Sequence, residues 1–181
     1  MTVLSLTRGR TALRAALAAL ALALAACAPA LVAPYDRGIV DGLGAVQQDA
    51  YVLLDRAAAE APEAAFPGFE AEYRALEARL DVLLTRAVVN ADGVDDVGMR
   101  AAERVNALLA EGSGDDPDAF EGLSLSAAQI VDLREFLRRT EARHRADPGL
   151  SAGFWRERRA QFTRAITAAI ALERFKRPRG S

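Results

Sequence analysis

The stretch Asp36 to Ala61, DRGIVDGLGAVQQDAYVLLDRAAAEA, sets the fold, because its apolar residues keep a single helical phase. Ile39, Leu43, Val46, Ala50, Leu53 and Ala57 stand at steps of 4, 3, 4, 3 and 4. In an α-helix that spacing places all six on one face as a seam of coiled-coil type. Gly38, Gly42 and Gly44 fall in its first turns, where a missing side chain weakens the helix or lets another backbone come close. Ala61-Pro62 and Pro67-Gly68 mark a stop and a turn. Phe69, Tyr73, Leu76, Leu80, Leu83 and Ala87 then repeat the same steps to about Asn90, with Asp92-Gly93 as the next turn. Two consecutive helices with matching seams and a short link predict an antiparallel hairpin.

Beyond the hairpin the pattern stays helical. Val97, Ala101, Val105 and Leu108 supply a weaker third seam, opened by the acids Asp92, Asp95 and Asp96 and stopped before Gly112. Glu111 to Gly122 (EGSGDDPDAFEG) is an aperiodic loop. Ser126 and Gln129 read as a capping box, with Leu125 and Ile130 as a hydrophobic staple, for a fourth helix. Its inner face is Ile130, Leu133, Leu137 and Thr140, with Phe136 beside them. Asp147-Pro148-Gly149 interrupts, leaving open whether a separate fifth helix follows or one bent helix continues. Trp155, Phe162, Ile166, Ala169 and Ile170 carry the pattern to about Phe175. The expectation is an all-α, antiparallel four- to five-helix bundle occupying residues 36–176, with a basic tail at 177–181.

The chain before the bundle is of another kind. Arg8, Arg10 and Arg14 precede an unbroken Ala/Leu run from Ala15 to Ala26. A basic start, a short apolar run and small residues at its end are the layout of a secretory signal. Twelve apolar residues are too few to span a bilayer, which takes about 20. Extending the run through Ala33 would make an uncleaved anchor, but Pro29 breaks that extension.

Leu24-Ala25-Ala26-Cys27 resembles the lipobox of bacterial lipoprotein precursors. The resemblance covers Met1 to Cys27. It implies cleavage by signal peptidase II before Cys27, with Leu24, Ala25 and Ala26 as the recognition residues and Cys27 as the site of lipid attachment. Several acyl chains hold a protein stably on a membrane, where one chain is marginal. The segments implied are a signal at 1–26 and an acylated cysteine with its tether at 27–35. Ala28 follows the cysteine instead of the Asp that favours inner-membrane retention in many Gram-negative lipoproteins. The destination implied is the periplasmic face of the outer membrane, with the inner membrane as the alternative. The Tyr35-Asp36 helix start, Leu123-Ser124 and the run from Leu172-Glu173 to Arg177 are similar to small, largely uncharacterised helical lipoproteins of Gram-negative envelopes. That resemblance brings no active site with it.

Composition narrows the chemistry. Residues 27–181 hold 20 basic against 25 acidic side chains, a balance of −5. Cys27 is the only cysteine, so its lipidation would leave no thiol for a disulfide or a nucleophile. Cys27 to Gly122 carries 7 arginines against 19 acids, and Leu123 to Ser181 carries 13 basic residues against 6 acids. Pairing of acidic with basic helices explains this asymmetry, and a basic face toward anionic lipid or an acidic partner is the alternative. Net acidity in an exported chain speaks against nucleic acid.

A single histidine, His144, rules out a His-rich metal site, and no serine stands in a nucleophile-elbow setting. Met99 and His144 are weak haem-ligand candidates, brought to one end of the bundle if the third and fourth helices run antiparallel. No C-x-x-C-H motif accompanies them. Asn90-Ala91-Asp92-Gly93 fails as a calcium loop, because Val88 and Met99 then take the first and twelfth positions. Asp115, Asp116, Asp118 and Glu121 read as turn residues. Glu70 with Arg74, and Glu77 with Asp81, read as ordinary surface charge patterning, and no acid is marked for a shifted pKa.

The functional expectation is therefore a non-enzymatic, membrane-anchored lipoprotein without a cofactor, presenting a helical surface to an envelope protein. Carriage of an apolar ligand or lipid in the bundle is the alternative, and strict seam spacing would equally serve a homo-oligomer.

Overall fold

The computed structural model describes residues 34–92 and 123–177. They form four α-helices: α1 (Arg37–Glu60), α2 (Glu70–Asp92), α3 (Leu125–Ala146) and α4 (Ala152–Phe175), with a 3-10 turn at Phe66–Gly68 before α2. Among the described residues there is no strand. The expected third helix, the acidic loop, the signal and the lipobox lie outside them.

Three of the four helices start at a side-chain cap. Asp36 accepts from the Gly38 amide at 2.7 Å, and Ser151 accepts from Phe154 at 3.2 Å. α3 corrects the expected start. Its cap is Ser124, whose hydroxyl accepts from the Ala127 amide, while Ser126 lies inside the first turn. Ser126 turns instead toward Glu173 of α4 and Lys176 just after it, a tertiary demand that local pattern does not show. α3 and α4 are separate helices joined by a turn in which Asp147 Oδ1 accepts from the Gly149 amide at 3.1 Å.

The seams face inward as their spacing requires. All six apolar residues of the first seam and all six of the second are buried, joined by Leu54, Leu84 and Val88. Ile130, Leu133 and Leu137 of α3, and Trp155, Phe162, Ile166 and Ala169 of α4, complete one core. Each fully buried large side chain contributes roughly 1.5–3 kcal/mol relative to exposure.

Helix neighbours run in a ring, α1 to α2 to α3 to α4 and back to α1, with the α1–α4 contact the most extensive. Ion pairs fix the directions. Arg56–Glu72 (2.7 Å) and Arg79–Asp49 (2.6 Å) join α2 to α1, Arg138–Glu77 (2.6 Å) and Arg134–Asp81 (2.7 Å) join α3 to α2, and Arg159–Asp55 (2.7 Å) joins α4 to α1. Every neighbour is antiparallel, so the topology is up-down-up-down. Three of these pairs tie the acidic half of the chain to the basic half. Pro34, Asp92, Leu123 and Arg177 consequently share one end of the bundle, and the two turns at Ala61–Phe69 and Asp147–Ser151 share the other.

Gly38 and Gly42 do admit a close neighbour, but it is side chain, not backbone. A Cβ at Gly38 would sit 2.4 Å from the Arg86 guanidinium, and one at Gly42 would sit 2.4 Å from Leu83 Cδ2. Gly44 faces open space.

Candidate functional site

Among the described residues, polar groups are drawn into the apolar interior at three places. At the two-turn end, His144 is 1% exposed inside a box of Phe66, Phe69, Tyr73 and Trp155, with ring centroids 4.6–5.9 Å from its own. Its Nε2 is 2.8 Å from the carbonyl oxygen of Ala64. A carbonyl only accepts, so Nε2 carries the hydrogen. Nδ1 faces the Tyr73 hydroxyl at 3.4 Å. Burial raises the Tyr73 pKa well above the usual phenol value, and the Glu141 charge adds to that. Both ring nitrogens are engaged with protein groups, so neither is left for a haem iron. Met99 lies outside the described residues.

Between α2 and α3, Arg134 is 3% exposed and its guanidinium meets Asp81 at 2.7 Å and Glu77 at 3.6 Å. Arg138 shares Glu77 at 2.6 Å and reaches Glu135 at 3.7 Å. Glu77 and Asp81 are thus the acidic wall of a cross-helix cluster, not simple surface patterning. The expectation of unshifted acids also fails here: burial raises the Asp81 carboxyl, Glu77 adds to the rise, and Arg134 and Arg138 oppose it. A groove of about 480 Å³ opens beside the cluster, lined by Glu77, Arg138, Glu141, Ala142, Arg145 and Ala146.

At the opposite end, Ser126, Glu173 and Lys176 form a third cluster. The Ser126 hydroxyl lies against Glu173 Oε1 and Lys176 Nζ, and Lys176 Nζ meets Glu173 Oε1 at 2.7 Å. Glu173 is 1% exposed and the Lys176 side chain 2%. Such a group of residue types invites a serine–lysine nucleophile, but the geometry opposes it. Lys176 is bound to a carboxylate and serves as a donor, so it is not placed as a base toward Ser126, and Ser126 is 4% exposed. The cluster closes the bundle end as a buried ion pair. Its signal was present in the sequence: Phe162, Ile166, Ala169 and Glu173 keep steps of 4, 3 and 4, so the seam itself delivers an acid to the core.

On the outer side of α1 and α2 an apolar groove of about 330 Å³ is lined by Gly42, Ala45, Ala78, Arg79, Val82 and Leu83. Val82 is 67% exposed beside it. Among the described residues no helix is long and apolar enough to cross a membrane, and no group of three or more His, Cys, Asp or Glu is placed to hold a metal ion. Leu24, Ala25, Ala26 and Cys27 lie outside the described residues. Comparison with protein-family models, curated proteins and solved structures gives no match to this chain.

Proposed function

We propose that this chain is a lipid-anchored envelope protein whose helical bundle is a non-catalytic contact module for another envelope protein. The observation that carries the reading is the Leu24-Ala25-Ala26-Cys27 box in its full setting, after a basic start and an apolar run and only seven residues before Pro34. The outer groove at Gly42, Ala78 and Val82 is the bundle's apolar surface for a partner. The three interior polar clusters support a mechanical role, since each joins two helices and none offers an activated nucleophile.

Carriage of a small apolar ligand is the second reading, and it rests on that same groove. The core leaves it little room, because Leu76, Leu80, Trp155 and Phe162 are all at 0–1% exposure. Membership of the small helical lipoproteins of Gram-negative envelopes, and the outer-membrane address, belong to the first reading.

The test is expression in a Gram-negative host with an alkyne fatty acid, followed by fractionation and crosslinking from a photoreactive residue at Val82. Label on the wild-type chain and none on Cys27→Ser, with a specific crosslinked protein at Val82, is the expected result. An unlabelled wild-type chain would sink the anchor, and a labelled chain that captures no protein would favour the carrier.

A further inference from the structure

The up-down-up-down topology gives the bundle two unlike ends. The end that holds Pro34 also holds the α3 start and the α4 exit. Three of the large apolar side chains left exposed among the described residues stand there: Phe175 at 77%, Val89 at 52% and Leu125 at 45%. Arg174 and Arg177, both exposed, flank Phe175. Among the described residues, three ion pairs lie at this end. Asp36 holds Arg86 at 2.6 Å, Arg37 holds Asp41 at 3.4 Å, and Glu173 holds Lys176 at 2.7 Å.

We infer that this end is a membrane-contacting surface, with Phe175 and Leu125 entering the headgroup layer and Arg174 and Arg177 meeting lipid phosphates. The inference rests on the anchored reading given above and deepens it by fixing the orientation of the bundle. Cys27 precedes Pro34 by seven residues, which extend over at most about 25 Å, so an acylated Cys27 keeps this end at the bilayer. An exposed aromatic beside arginines is the composition of an interfacial contact, since the ring suits the headgroup depth and the guanidinium the phosphate. Residues 93–122, between the end of α2 and the start of α3 in the chain, carry eight acids and two arginines. The contact therefore depends on Phe175 and its two neighbours, not on the net charge of the end. Helices of 24 residues are about 36 Å long, so the His144 end stands that far from the bilayer.

The test places the full chain, purified from envelopes, on phosphatidylethanolamine–phosphatidylglycerol vesicles containing brominated lipid. Trp155, the single tryptophan, lies at the far end and serves as the internal reference. The emission added by Phe175→Trp, a change at an exposed position, is expected to be quenched roughly twofold while wild-type emission is unchanged. Phe175→Trp with Arg174→Glu and Arg177→Glu should lose most of that quenching. Quenching of the added emission supports the contact whatever the mass of the N-terminal peptide. Unquenched emission from Phe175→Trp, or quenching of Trp155 instead, overturns it. The acyl mass on Cys27, read in the same samples, says separately whether the anchored reading stands.

Discussion

His144 on α3 donates from Nε2 to the carbonyl oxygen of Ala64 at 2.8 Å, joining positions 80 apart in the chain. This bond ties the last turn of α3 to the link between α1 and α2, and the aromatic box around it packs α4 onto the same point. His144→Ala removes the bond and opens a hole among four aromatic rings, and should cost about 3–5 kcal/mol. His144→Phe keeps a ring but strands the Ala64 carbonyl, and should cost about 1–3 kcal/mol. Urea denaturation with an unchanged slope checks both values and their order.

Arg134 is the buried cation of the α2–α3 cluster, so its removal leaves Asp81 facing a partly buried void. Arg134→Ala should destabilise by about 3 kcal/mol, and Arg134→Met with Asp81→Asn should recover much of that loss. Arg134 opposes the rise that burial imposes on the Asp81 carboxyl. Without it, the Asp81 titration followed by NMR should move further up. An unmoved titration would mean that the pair does not exist in solution.

The glycines of α1 separate by what faces them. Gly44 meets nothing within 4 Å, so Gly44→Ala should raise stability by about 0.5–1 kcal/mol through helix propensity alone. At Gly42 the new methyl would meet Leu83 Cδ2 at 2.4 Å, and displacing Leu83 offsets the same gain. Thermal melts should rank Gly44→Ala above Gly42→Ala.

Asp36 caps α1 and also pairs with Arg86, whose hydrogen bond holds its carboxyl below the usual range against the opposing effect of burial. A lowered folded-state pKa gives stability that is present above the unfolded value, about 3.9, and is lost as pH falls through the folded value. Asp36→Asn keeps the cap and loses the charge. The wild-type advantage over Asp36→Asn should therefore shrink below about pH 4 and be absent once both carboxyls are protonated. Asp36→Ala also loses the cap, about 1 kcal/mol more at every pH. Acid denaturation of the three chains provides the comparison.

Lys176 is the only lysine among 23 cationic side chains, and its nitrogen is buried against Glu173 and Ser126. Amine-reactive acylation mapped to Lys176 should be slow in the folded protein and fast in urea. Lys176→Met should cost about 3–5 kcal/mol by leaving Glu173 charged and unpaired in the core.

Much of the bundle was legible along the chain because seam spacing is a local property. A helix that keeps steps of 4 and 3 has one face to hide, and both seams of the hairpin were hidden. Caps are less legible: Ser126 has the right spacing, but its hydroxyl answers to Glu173 and Lys176, which lie about 50 positions away. The burial of Arg134 is hidden from the sequence for a related reason. It sits one step from Leu133, and only the acids of α2 explain why a cation is buried there.

The order of residues alone was enough for the helical class, the hairpin and the Leu24-to-Cys27 box, since each depends on spacing within a few turns or on a contiguous motif. Only the folded chain chose which end of the bundle gathers Pro34, Phe175 and the Glu173–Lys176 pair, and which end buries His144. Helix direction and neighbour order come from the pairing of distant faces, and contacts 50 to 80 positions apart have no local pattern to announce them.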